Sequence, residues 1–347
     1  LNERQSLGTP LTRAELGVLL AYAKIVLFDD LVRSALPDEP YLEADLSGYF
    51  PPRMHGDFGD RIRNHRLRRE IIATVLANQI VNRGGPSVIS RFEDATGMLP
   101  SGIARAHVIC RDAYDIEALH AAIDGLDNQV PGDAQMAIYD ELAEALRGAI
   151  GQYLKSGDMT GDLGAAVAAL SEARAALEPD LPRIVPDYLA NWAQQRRERF
   201  KQAGMADGPA QRLALLPVAA VTPDIMAAAA ATGRPIGEAA KGYFDVTRSF
   251  RIGRLEHLAH QLPAHDYFDG LAQQRALDTI HSARLAITTA ALKGNGADPS
   301  AAVESWVDAN KVRIARVQDR IVELTDHGDL TVSRLTVAAG LLADLVG

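Results

Sequence analysis

A single cysteine, Cys110, is all that this chain of 347 residues carries. One thiol can neither close an internal disulfide nor build a thiolate zinc site, and it fits a reducing cytoplasm. Aromatic residues are scarce, at 5% of the chain, while alanine is abundant, a balance that favours close-packed helices over sheets. There is no excess of positive charge: the formal net charge is −9, which argues against a nucleic-acid binder, whose affinity rests on neutralising phosphates. No uninterrupted apolar run is long enough to span a membrane. The most apolar stretch, Leu213–Gly233, is broken by Pro217, Pro223 and Asp224 and reads as two short buried helices. The glycine fingerprint G-x-G-x-x-G is missing, as are G-x-x-x-x-G-K-[ST] and H-E-x-x-H, so no known backbone cradle for a dinucleotide or nucleotide is visible. No signal peptide is visible and residue 1 is Leu rather than Met, so the expectation is a piece of a longer chain, or a processed one.

What is present is helical patterning from end to end. The composition, 47% hydrophobic and 23% charged, is that of an ordinary globular protein, with length for about two domains. Leu11-Thr12-Arg-Ala-Glu15-Leu16 is a helix-start signal in which Thr12 and Glu15 can cap each other's backbone N–H groups. The helix it opens is expected to bury Leu16, Leu19, Leu20, Ala23, Leu27 and Leu31. A helical pair over 41–64 is interrupted by Pro51-Pro52. The stretch His65–Gly97 begins basic, turns apolar and closes with Asn78, Gln79 and Asn82 before Gly84-Gly85-Pro86, a strong stop. Ile71, Val75, Asn78 and Asn82 share one helix edge, and an apolar stripe turning into carboxamides is costly unless the amides are hydrogen-bonded. A further helix is expected over 101–123, with Ile103, His107, Cys110 and Tyr114 on one face.

Gly125–Asp133 is the best boundary by its turn-forming residues, giving subdomains 1–124 and 134–347, or else one continuous helical domain. In the second, Ala276, Ile280, Ala283, Ile287 and Ala290 are matched by Val303, Val307, Asn310, Ile314, Val317, Ile321 and Leu324, with Asp298 capping the second run. That pattern predicts a long antiparallel hairpin over 264–325. No strand alternation is convincing, and the fold class is all-α, a multi-helix bundle.

Three groups invite a chemical reading. Glu256, His257 and His260, with His265 and Asp266 beyond, are the best metal candidate, since His257 and His260 can face one ion. No further acidic helix motif completes a ligand set, and a helix end with ordinary histidines is preferred. Arg61, Arg63, Arg66, Arg68 and Arg69 can pair phosphates or carboxylates. The preferred reading is plainer, a charged helix start meeting Asp57, Asp60, Glu70 or acidic groups elsewhere. Asn78 and Asn82 can grip a polar partner or bond within the protein. Asp140, Glu141 and Glu144 read as an exposed helix face. No catalytic, cofactor-binding or metal residue is assigned. Arg66, Arg68, Arg69, Asn78 and Asn82 remain as interface or anion contacts.

Four stretches together resemble one family: ELGVLLAYAKIVLFDDL at 15–31, YLEADLSGYFP at 41–51, HRLRREIIATVLANQIVNRGGPSVISRFEDATG at 65–97, and YFDVTRSFRIGRLEHLAHQLPAHDYFDGLAQQRALDTIH at 243–281. They resemble the C-terminal helical region of the large NAD-specific bacterial glutamate dehydrogenases, over roughly 12–123 and 215–345. The resemblance implies a parent enzyme converting L-glutamate, NAD and water to 2-oxoglutarate, ammonium and NADH. It implies too that the catalytic lysine and aspartate and the Rossmann fold lie before this region. NAD would then serve the parent and no cofactor this part. Its partners would be the catalytic domain of the same polypeptide and further copies in a homo-oligomer. The role expected is structural or regulatory, with a ligand-sensing module and an independent helical enzyme as alternatives.

Overall fold

The computed structural model describes residues 8–263, 266–293, 298–326 and 330–346. Among these residues all regular structure is helical and there is no strand. The chain divides into two compact units at Ser171/Glu172. The turn region Gly125–Asp133 therefore lies inside the first unit, and the helix that follows it packs on those that precede it.

The principal helices of the first unit are α1 (Arg13–Arg33), α2 (Glu43–Gly48), α3 (Arg68–Gly84), α4 (Pro100–Ala113), α5 (Ile116–Asp124) and α6 (Gly132–Ser156). The capping box at the start of α1 forms as the residues dictate: Thr12 N–H donates to Glu15 Oε2 at 2.8 Å, and Glu15 N–H to Thr12 Oγ1 at 3.3 Å. Of the stripe expected to be buried, Leu27 and Leu31 are buried, Leu19, Leu20 and Ala23 are half-buried, and Leu16 is exposed. Helix α3 ends at Gly85, which takes φ +86°, a conformation costly for any residue with a Cβ. Its buried face is Ile72, Ala73, Leu76, Ala77, Ile80 and Val81, so the edge carrying Ile71, Val75, Asn78 and Asn82 flanks the core rather than facing it. The helix expected over 101–123 is two helices. The chain turns at Asp115, whose φ of +55° a short polar side chain tolerates better than most. Ile103, His107, Cys110 and Tyr114 are all buried on α4 or at its end, and burial pushes the Cys110 thiol far above its usual range.

The second unit contains α7 (Asp187–Gln202), α8 (Asp207–Ala219), α9 (Thr222–Thr232), α10 (Ile236–Ser249), α11 (Ile252–His260), α12 (Tyr267–Leu292), α13 (Pro299–Ala309), α14 (Lys311–Asp326) and α15 (Val332–Ala343). Helices α8 and α9 are the two short helices expected within 213–233, bent by 52° at their junction. No single helix among the described residues is long and apolar enough to cross a membrane. Helix α12, 26 residues long, is central and lies mainly against α15, α10 and α13. Of the hairpin expected over 264–325, α12 is one unbroken helix lying against α13, whereas α14 packs chiefly on α15. Asn310 leaves the helical conformation and its side-chain amide donates to the Trp306 carbonyl at 2.9 Å, so α13 ends there and α14 starts afresh. The link 294–297 and residues 264–265 fall outside the described residues.

Glycines separate positions where the fold needs the missing side chain from those where it does not. A Cβ on Gly148 or Gly340, each exposed within a helix, would meet nothing within 4 Å, whereas one on buried Gly242 would lie 2.8 Å from both methyls of buried Leu292. Gly148→Ala and Gly340→Ala are expected to stabilise by about 0.5–1 kcal/mol each. Gly242→Ala is expected to destabilise by about 1–3 kcal/mol through overpacking, all three read from urea unfolding curves.

Candidate functional site

An open cleft of about 760 Å³ lies in the first unit, lined by Tyr41, Asp45, Tyr49, Gln79, Arg111, Asp112 and Glu117 among others. Three helices position its polar wall: α2 supplies Asp45, α3 supplies Gln79, and the last turn of α4 supplies Arg111 and Asp112. All five N–H groups of the Arg111 guanidinium are used. Nη1 donates to Asp45 Oδ1 and to Gln79 Oε1, each at 2.7 Å. Nη2 donates to Asp45 Oδ2 at 3.0 Å and Asp112 Oδ2 at 2.9 Å, and Nε donates to Asp112 Oδ1 at 2.7 Å. Burial by itself would lower the pKa of Arg111, but the hydrogen bonds to Asp112 and Asp45 outweigh it and hold the group charged. Burial, followed by the charge of Asp112, pushes the Tyr41 hydroxyl up to about 12.

The Arg111 guanidinium has no N–H left for an incoming anion. Asp45 and Asp112 pair the one guanidinium and Glu117 adds a third carboxylate to the lining, so the field in the cleft is negative. A phosphate or a dicarboxylate would meet repulsion there. The cleft works as a structural tie between α2, α3 and α4 that happens to be open on one side.

The second unit holds a buried polar cluster of its own. Tyr243 Oη donates to Asp224 Oδ2 at 2.7 Å, and His281 Nδ1 lies 3.4 Å from the same oxygen. Arg284 pairs with Glu256 through two contacts of 3.2 Å and stacks over the Tyr243 ring, 4.8 Å from its centroid. Asp224, Tyr243, His281 and Arg284 are all buried. Burial drives the Tyr243 hydroxyl well above its ordinary range, and Glu256, Tyr243 and Asp224 together overcome the burial of Arg284 to keep it charged. Helices α9, α10, α11 and α12 each contribute a residue, so this cluster also ties helices together.

The residues singled out in the sequence lie elsewhere. Arg68 and Arg69 both pair with Asp38, and Arg69 also donates to the carbonyls of Val32 and Ser34 at 2.8 and 2.9 Å, closing the C-terminal end of α1. Arg63 pairs with Glu43 and Asp60, and Arg61 stacks on Phe58. Arg66 and Asn82 are exposed and Asn78 is half-buried. His257 and His260 are exposed on α11, with His257 Nε2 3.1 Å from the Gln261 amide, and His265 lies outside the described residues. Among the described residues no group of three or more His, Cys, Asp or Glu side chains is placed to hold a metal ion.

Comparison with known proteins adds what this geometry lacks. The family model described as "Glutamate dehydrogenase, C-terminal" matches residues 8–344. The chain belongs to the glutamate dehydrogenase C-terminal family. Among curated proteins, the NAD-specific glutamate dehydrogenase of Pseudomonas aeruginosa is 32% identical over 354 residues, a match covering 99% of this chain and 21% of that protein. Those of Halomonas elongata and Mycobacterium tuberculosis are 28% and 26% identical, covering 99% and 97% of this chain and 22% and 21% of theirs. The chain thus spans about a fifth of the length of the curated relatives it matches. Within this member of the family, the polar residues that sequence reasoning passed over are Asp45, Arg111, Asp224, His281 and Arg284. Their one signal is charge inside apolar helical runs, as in ARAHVICRDAY, where a charged side chain has to be paired.

Removing one partner from such a network leaves the others buried and unpaired. Arg111→Met is expected to destabilise the chain by about 3–5 kcal/mol in urea unfolding, and Arg111→Lys to recover only part, because an ammonium cannot span two carboxylates and an amide. A pH effect follows from two buried histidines of the first unit. Burial, then Arg111, lowers His107 to about 3, and burial, then Arg83, lowers His120 to about 4. Both stay neutral in the folded chain while the unfolded chain takes up protons below its ordinary value of about 6.5. Their contribution is therefore complete above that pH and lost as pH falls toward 4, by up to about 1.4 kcal/mol per pH unit per histidine. Urea midpoints measured from pH 7 to 4.5 should fall, and His107→Gln should flatten the slope.

Proposed function

We propose that this chain is the C-terminal helical part of a longer NAD-specific glutamate dehydrogenase. The observation that carries this is the family match over residues 8–344, joined to relatives of that name of which the matched region is only about a fifth. The parent reaction is then oxidation of L-glutamate by NAD, with water, to 2-oxoglutarate, ammonium and NADH. Its chemistry and its dinucleotide site belong to the part of the polypeptide outside this chain. The role of this part is structural or regulatory: it packs on the catalytic part of the same polypeptide and takes part in joining subunits into a homo-oligomer. The setting is the cytoplasm, in keeping with a lone buried thiol.

Two features of the fold support a scaffold over a ligand sensor. The cleft at Arg111 is negative and its guanidinium saturated, which disfavours glutamate, nucleotides and other anions. Of the arginine cluster, Arg68 and Arg69 are occupied by Asp38, leaving Arg66 and the amides Asn78 and Asn82 to meet a neighbouring domain. The test is direct. The 347-residue chain is expected to show no glutamate-dependent NADH formation and no rise in melting temperature with NAD, glutamate or other amino acids and nucleotides. The full polypeptide should turn over. Turnover by this chain alone would sink the scaffold reading, and a melting shift with one amino acid or nucleotide would replace it by the sensor.

A further inference from the structure

Helix α1 is apolar on two opposite sides. On one, Leu27 and Leu31 are buried, with Leu20 and Ala23 half-buried, and the helix lies against α3 and α4. On the other, Val18, Tyr22, Ile25 and Val26 are 57, 64, 56 and 59% exposed. Their spacing puts them on one stripe, and at roughly 100° per residue that stripe lies opposite the Leu20–Leu27 side. Ala14 and Ala21 share the exposed side, and charge returns only near its ends, at Glu15, Asp29 and Arg33. A surface helix normally carries polar residues opposite its apolar face, and one that is apolar on both sides is built to be covered on both. Contiguous exposed apolar surface of this kind marks an interaction site.

Who covers it follows from where α1 stands in the chain. The curated relatives match almost the whole of this chain yet are about five times longer, and the family description assigns the matched part to the C-terminal end. In a polypeptide of that design the unmatched four-fifths precede the match, which here begins at residue 8, and α1 starts at Arg13. A segment tethered a few residues away is present at a high effective concentration that a separate copy does not reach.

We propose that the Val18–Tyr22–Ile25–Val26 stripe is the seat on which the preceding part of the same polypeptide docks. This rests on the reading that the chain is the C-terminal part of a longer glutamate dehydrogenase, and it names the surface that reading leaves open. The occupant is an apolar face of the adjoining segment, which makes α1 a shared helix, with one side in the core of the first unit and the other in an interface.

The test uses the full polypeptide with a photo-crosslinking residue, Tyr22→p-benzoylphenylalanine, in a mixture of isotopically light and heavy chains. The expected result is a crosslink to a peptide upstream of this region and in the same chain, its yield reduced several-fold by a second substitution, Ile25→Glu. Crosslinks between light and heavy chains, crosslinks to residues 172–347, or solvent-quenched product alone would each overturn the docking. Glutamate-dependent NADH formation by the same preparation separates the two readings. An active polypeptide without the upstream crosslink defeats the docking alone, and an inactive unsubstituted polypeptide defeats the proposed function whatever the crosslinks.

Discussion

A guanidinium removed from water loses free energy for each N–H left without an acceptor, and the first unit is arranged so that Arg111 finds all five. The requirement fixes more than one side chain. Asp45 has to come from α2 and Gln79 from α3, so the short helix after the Pro37–Pro40 turns and the long helix after His65 are held against the end of α4 together. Apolar packing alone specifies such a meeting loosely, because leucine and alanine surfaces slide past one another at little cost. A planar fork with two carboxylates and an amide accepts one geometry.

The second unit holds its buried guanidinium differently, pairing Arg284 with Glu256 and stacking it on Tyr243 while its Nε has no acceptor. Asp224, Tyr243, His281, Arg284 and Glu256 sit on four helices, α9 to α12, around a stacked Arg284–Tyr243 pair. In a chain this rich in alanine the helices can approach closely, and little side-chain bulk is left to set their relative rotation. The buried polar clusters take over that task. This accounts for charge in interiors that are otherwise mainly apolar.

Much of the fold was legible in the residues because it depends on local rules. The capping box at Thr12 and Glu15, the cap at Asp298, the stop at Gly85 and the bend that keeps Leu213–Gly233 from being one long helix all follow from side-chain chemistry within a few positions. What was not legible depends on partners far away in sequence. The basic cluster reads as a charged helix start, but its sequence does not show that Arg69 answers to carbonyls 37 and 35 residues earlier. The amide that matters on α3 is Gln79, beside the two that the spacing picked out, because Arg111 lies on its side of the helix. The break at Asn310 was hidden because apolar spacing continues straight through it, while one side-chain amide ends the helix. The identity of the family came from long stretches matched in order, which no count of charges or periods contains.

The uneven distribution of two rare residues has a practical consequence. Cys110 lies in the first unit, buried and with its thiol held protonated, so a thiol reagent reaches it only when that unit opens. Both tryptophans, Trp192 and Trp306, lie in the second. The native chain therefore carries a chemical clock for one half and an optical reporter for the other, with no label added. Whether the halves melt as one body or two can be read by following both signals along a single denaturation curve.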